Sequence, residues 1–180
     1  MRNLVLSSLL LLSCSTMATT PREHGARKVE CKKELAFSSW DPRTEVFLEQ
    51  FFQGARDAGT ECYKASTISF ASSKEVQKVA PRPDFYILGY CTSDGHIVLN
   101  QDAWDRESLI KNKAVLFHEL GHCVFLLDHA PEDSINLMAP SIPGPLFLSE
   151  NWQEMLRKLF QKSLSLGATP DVFFNRHTMY

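Results

Sequence analysis

The chain has 180 residues, 44% of them hydrophobic and 22% charged, which is enough for one domain with a real core. Its formal net charge of -2 and the absence of any long Lys/Arg run argue against a nucleic-acid binder, which concentrates basic charge on one surface. No internal repeat, phosphate-binding loop, nucleotide fingerprint or Ser/His/Asp arrangement is visible.

Residues 1–13 are expected to be a signal peptide. Arg2 precedes an apolar stretch, Leu4 to Leu12, that is too short to span a bilayer comfortably and has the length of a signal core. The stretch ends in Leu11-Leu12-Ser13-Cys14, which resembles the lipobox of bacterial lipoproteins. That resemblance implies acylation of Cys14 and a lipid anchor in the cell envelope. Each buried methylene adds about 0.8 kcal/mol of membrane affinity, so several acyl chains hold stably. Ser15 in place of an aspartate implies, by the same likeness, the outer membrane instead of retention at the inner one. The alternative is an ordinary secretory signal with an incidental cysteine. Residues 14–28 are polar, with Pro21 and Gly25, and read as a flexible tether.

A globular domain is expected over residues 29–165. Asp41 can cap a first helix, Pro42 suits its first position, and Val46, Phe47, Phe51 and Ala55 follow at helical spacing before Gly59 stops it. "STISFAS" reads as a short strand. Asp84 to Cys91 and His96 to Trp104 read as two more, joined by Thr-Ser-Asp-Gly into a hairpin. A long helix is expected from about Asp105, with Glu107 in its first turn. Leu109, Ile110, Ala114, Phe117, Leu120 or Gly121, and Val124 form its inward stripe, and Pro131 forbids its running on. A last amphipathic helix follows, "LSENWQEMLRKLFQ", with Ser149 as its candidate cap; residues 166–180 are a tail without assignment. Helix, strands, helix, loop, helix is an α+β order, with a small sheet of mostly antiparallel or mixed pairing. Leaving Cys14 aside, Cys31, Cys62, Cys91 and Cys123 suggest two disulfides in an exported protein, with three pairings open. Their spacing offers no C-x-x-C zinc knuckle.

The chemistry is concentrated in "HELGHCVFLLDH", His118 to His129. A helix turns about 100° per residue, so His118 and His122 lie only about 40° apart around its axis and can hold one metal ion. Glu119 sits beside them. This H-E-x-x-H arrangement is that of zinc peptidases: zinc lowers the pKa of water to about 7, and the glutamate takes the proton as the water attacks a carbonyl. Gly121 sharpens the signal, since an interior glycine costs a helix roughly 1 kcal/mol and implies close approach by another segment.

Catalytic zinc usually takes three protein ligands, and the third is the open question. His118, Glu119, Gly121 and His122, with Met138 in "SINLMAP", resemble the metzincins. In that group a turning glycine follows the second histidine by three residues and the last ligand by six, and a methionine turn lies beneath the metal. Here position 125 is Phe125 and position 128 is Asp128, with His129 next. Phe125 adopts a left-handed backbone poorly, so the helix should run further before it breaks. Continued as a helix, the chain would carry His129 roughly 10 Å beyond His122, so a bend between Val124 and Asp128 must return it. A second resemblance is to bacterial metallopeptidases with a "GYC" strand, a tryptophan, "HELGHC" and a histidine seven residues after the second one. It covers about Asp84 to Met138 and implies His129 as third ligand, with Asp128 the alternative. It also supports a Cys91–Cys123 bridge tying the strand to the helix, alongside the preferred Cys31–Cys62 pair. Unpaired buried thiols are the competing reading.

The expectation is a zinc-dependent endopeptidase, a hydrolase acting on protein or peptide substrates as a monomer, with Glu119 as base, His118, His122 and His129 on Zn2+, and Met138 as a structural turn residue. A gluzincin-type peptidase would use Glu150 or Glu154 as third ligand instead. A lipid-anchored zinc domain that only binds a partner is the alternative of another class. Tyr90 is a candidate oxyanion stabiliser.

Overall fold

A computed structural model describes residues 27–79, 86–132, 134–165 and 177–178. The expected signal segment, Cys14 and most of the tether lie outside the described residues. Among the described residues no helix is long and apolar enough to cross a membrane.

The architecture is α+β. A two-stranded antiparallel ribbon pairs β1 (Lys28–Val29) with β2 (Cys62–Tyr63). Lys28, assigned above to the tether, is therefore already part of the fold. Helix α1 (Lys33–Ala36) follows, then a single 3-10 turn (Pro42–Thr44) that runs into α2 (Glu45–Asp57). Asp41 caps the 3-10 turn, its carboxylate accepting from the Arg43 amide at 2.9 Å. Gly59 ends the segment with φ +68°. Phe47, Phe51 and Ala55 are buried as their spacing requires, but Val46 is 56% exposed; Leu48 and Phe52 complete the inward face instead.

The main sheet has the order β3-β5-β4-β6: β3 (Ile68–Ala71), β5 (Ile97–Asn100), β4 (Gly89–Cys91) and β6 (His177–Thr178). The β3–β5 pair is parallel and the rest are antiparallel, so the sheet is mixed. The β4–β5 hairpin forms as expected around Thr92 and Gly95, whose amide donates to Thr92 O. Two strand boundaries differ from expectation. Within Asp84 to Cys91 only Gly89–Cys91 pairs; 84 and 85 lie outside the described residues. The next strand stops at Asn100, where the Asn100 side chain accepts from the Ala103 amide and opens α4 (Gln101–Trp104). A side-chain cap competes with strand pairing at this point, and the cap prevails. Helix α3 (Ser73–Val76), with a Ser72–Glu75 capping box, links β3 to the segment before β4.

The long helix α5 (Leu109–Phe125) starts later than expected because α4 uses up the preceding residues and Ser108 is extended. Leu109, placed on the inward stripe, is 76% exposed, while Ala114, Phe117, Leu120, Gly121 and Val124 are buried. Helix α6 (Pro145–Ser165) begins four residues before Ser149. Ser149 is thus no cap; its hydroxyl donates to Pro145 O inside the first turn.

The core lies where α2, α5 and α6 meet under the sheet. Phe51 is its centre, edge-on to Phe52 and Phe117, stacked with Phe125 at 5.1 Å and tilted against Phe160 at 5.6 Å. Each fully buried side chain of this size contributes about 1.5–3 kcal/mol. A smaller cluster of Val76, Ile87 and Val98 covers the opposite sheet face. Two disulfides close the frame, Cys31–Cys62 with Cα atoms 4.8 Å apart and Cys91–Cys123 at 5.8 Å. The first joins the approach to α1 with β2, and the second fastens β4 to α5.

Candidate metal centre

Helix α5 carries His118 and His122 one turn apart on its buried side; neither is more than 1% exposed. The helix stays right-handed through Phe125 and breaks at Leu126, which adopts φ 56° and ψ 36°. A left-handed leucine is uncommon and costs of order 1–3 kcal/mol. The amides of Leu126 and Leu127 both reach Gly121 O, so the break is anchored. The turn swings half-buried His129 back beside the other two imidazoles, and the three ring centroids lie 4.5, 4.7 and 5.1 Å apart.

Hydrogen bonding decides which nitrogens face inward. His118 Nδ1 lies 2.6 Å from Leu137 O and His122 Nδ1 lies 2.5 Å from Leu127 O. A carbonyl oxygen only accepts, so each Nδ1 carries the proton and each Nε2 of the neutral ring presents its lone pair to the cluster. Yet His122 Nε2 is 2.9 Å from His118 Nε2, which is 3.2 Å from His129 Nε2. The His118 and His122 lone pairs at such a distance repel unless a cation or proton stands between them. Nitrogen donors on a tetrahedral ion with bonds of about 2.0–2.1 Å are about 3.3 Å apart, so the cluster is close to the size such an ion needs. His118, His122 and His129 offer ligand atoms all within 4.8 Å of one another, and this buried group could bind a metal ion. Carbonyl partners on the outer nitrogen are the usual means of orienting imidazole ligands.

The other candidates stand elsewhere. Asp128 is exposed and does not join the group. Glu150 is exposed on α6, and Glu154 pairs there with Arg157 and Lys158; the hydrogen bond from Arg157, and then the charges of both, lower its carboxyl pKa. Neither belongs to the metal-ligating group found among the described residues. Tyr90 packs on the far face of the sheet against the Val76, Ile87 and Val98 cluster, because alternation along β4 sends Gly89 and Cys91 toward α5 and Tyr90 away from it. It is therefore badly placed as an oxyanion stabiliser.

Glu119 is fully buried, and neither carboxylate oxygen has a hydrogen-bond partner among the described residues. Burial pushes its carboxyl well above the usual value; the Cys91 amide opposes this weakly, without completing a hydrogen bond. An orphaned buried carboxylate is costly and rare, which makes the position a candidate functional site. The Glu119 side chain lies against β4, where a Cβ on Gly89 would come within 3.3 Å of its Cγ. The sequence marked Gly89 only as the first residue of the GYC strand motif, although a glycine inside a strand is itself a sign of close approach. The carbonyls of Leu127 and Leu137 also went unnoticed, since nothing local in the sequence marks a backbone acceptor.

Beneath the helix, Met138 is fully buried and its sulfur rests on Gly121 so closely that a Cβ at position 121 would overlap it; Leu159 Cδ1 would lie 3.3 Å away. The loop before Met138 is tied back by the Ala130 amide on Met138 O at 2.7 Å, which also sets Leu137 O for His118. Gly121→Val should therefore destabilise the oxidised protein by about 1–3 kcal/mol through overpacking. Urea unfolding reads this directly, and an unchanged midpoint would remove the packing account.

No family model matches the chain, and comparison with curated proteins and with solved structures finds none similar to it.

Proposed function

We propose that the protein is a metzincin-like zinc endopeptidase, with His118, His122 and His129 as the metal ligands and Glu119 as general base. The observation that carries this reading is the buried carboxylate of Glu119, without a hydrogen-bond partner among the described residues, next to three converging imidazole nitrogens. Structural zinc sites are closed by four ligands and need no base. Here three donors converge among the described residues, which leaves a position for a reactant. Imidazole donors suit zinc, though copper, iron and nickel accept them as well.

The shift of the third ligand supports the likeness to metzincins. In their pattern the turn falls at the position of Phe125 and the ligand at that of Asp128. Here the left-handed residue is Leu126 and the converging side chain is His129. Both have moved by one residue, so the same return of the chain is made one step later.

When bound, the ion would polarise the scissile carbonyl as a Lewis acid and make water a competent nucleophile at neutral pH. The remaining work falls to the chain. Glu119 takes the proton from the attacking water and passes it to the leaving amine. Leu127 O and Leu137 O hold two ligands in the tautomer that presents Nε2. The Cys91–Cys123 bridge and Gly89 keep β4 against Glu119. The lipobox-like segment ending at Cys14 would place this domain at the surface of a bacterial membrane.

The test is metal loading. Protein stripped of metal and titrated with zinc should take up one ion per chain, and casein hydrolysis should appear in proportion to it. Uptake well below one ion, or hydrolysis indifferent to stripping, would contradict the proposal.

A further inference from the structure

We propose that the carboxyl-terminal residues His177 and Thr178 are an internal competitor for substrate, occupying the edge of β4 along which a peptide must lie to reach Glu119; this rests on the peptidase reading. Strand β4 touches Glu119 through Gly89 and is bridged to α5 at Cys91. It has two edges. One is held by β5, through Gly89↔Leu99, Tyr90↔Val98 and Cys91↔Ile97. The other is taken by β6, antiparallel, with Tyr90 opposite Thr178 and Cys91 opposite His177.

A peptide binding by strand addition needs a free row of backbone donors and acceptors. The β5 edge belongs to the core, since Ile97 and Leu99 are fully buried and β5 is paired again by β3. Only the β6 edge can be vacated. Among the described residues the β6 pairing covers two residues, and so short a strand is readily displaced. A tethered strand competes at an effective concentration that free peptide must exceed, so such a device sets a threshold for substrate without blocking it outright.

The experiment uses zinc-loaded protein carrying Glu119→Gln, so that bound peptide is not cleaved, and a fluorescent peptide of this chain's own last ten residues, DVFFNRHTMY. A chain ending at Arg176 should bind the peptide, and the full-length chain should bind it roughly tenfold more weakly or worse. A full-length chain with both His177→Pro and Thr178→Pro should bind like the truncated one, because proline cannot donate to a ladder. Equal binding by full-length and shortened chains, or no binding to either, overturns the proposal. With Glu119 restored, the shortened chain should hydrolyse peptides at a lower KM than the full chain and a similar kcat. Hydrolysis at equal KM refutes the competitor and leaves the peptidase standing. The binding difference without hydrolysis in any form retains the strand exchange and refutes the peptidase.

Discussion

Glu119→Gln is expected to abolish most hydrolysis while leaving the metal in place. Proton transfer by a positioned base is typically worth 10²–10⁴-fold, so kcat should fall by about that factor while zinc stoichiometry stays at one. Glutamine keeps the shape of the side chain and removes only the capacity to take a proton. Stability should move the other way. In metal-stripped protein the wild-type carboxyl is raised well above its ordinary 4.5 by burial without a partner. A group raised in the folded state holds its proton there after the unfolded chain has lost it. Stability therefore falls as pH rises above about 4.5, and continues to fall until the folded carboxyl also ionises. Glutamine has no such slope. The gap between Glu119→Gln and wild type should widen in favour of the variant through this window, as urea unfolding at several pH values would show. Casein hydrolysis equal in both proteins would remove the catalytic role, and parallel stability profiles would remove the account of the buried charge.

The pair His118 and His122 was legible because helical periodicity is a local property: two residues four apart share a face whatever the rest of the chain does. The return of His129 was legible in part. The reluctance of Phe125 to turn left-handed predicted a later break, and the break falls at Leu126. Which residue would accept the strained backbone was not legible, because that depends on Gly121 O being free to bind two amides of the turn. Both disulfides agree with the preferred pairing. The misplaced boundaries share one cause. Asn100 could extend a strand or cap a helix, and Ser149 could start a helix or sit within one. In each case the choice was made by groups distant in sequence or by the preceding turn, as with Ile87 O accepting from Asn100 Nδ2 at 2.8 Å. The orphaned state of Glu119 and the pairing of His177–Thr178 with β4 are tertiary facts without a local signature.

His129→Ala and Asp128→Ala should separate cleanly in metal affinity, although the residues are neighbours. Loss of a hydrogen-bonding partner behind a ligand typically costs 10–100-fold in affinity. Loss of a ligand itself should cost more than this, so His129→Ala should weaken zinc binding by over about a hundredfold. Asp128 is exposed and stands outside the convergent group, so Asp128→Ala should cost far less than a lost ligand, at most about the 10–100-fold of an orienting partner. Titration of stripped protein against a chelator of known affinity measures both. The geometry also says how His129→Ala should fail. Two lone pairs remain on His118 and His122, each oriented by its carbonyl, so residual binding should be weak and open to buffer ligands, and added imidazole should recover part of it. Asp128→Ala losing zinc while His129→Ala retains it would move the third ligand to the carboxylate, and the turn at Leu126 would then have to relax by one residue on binding.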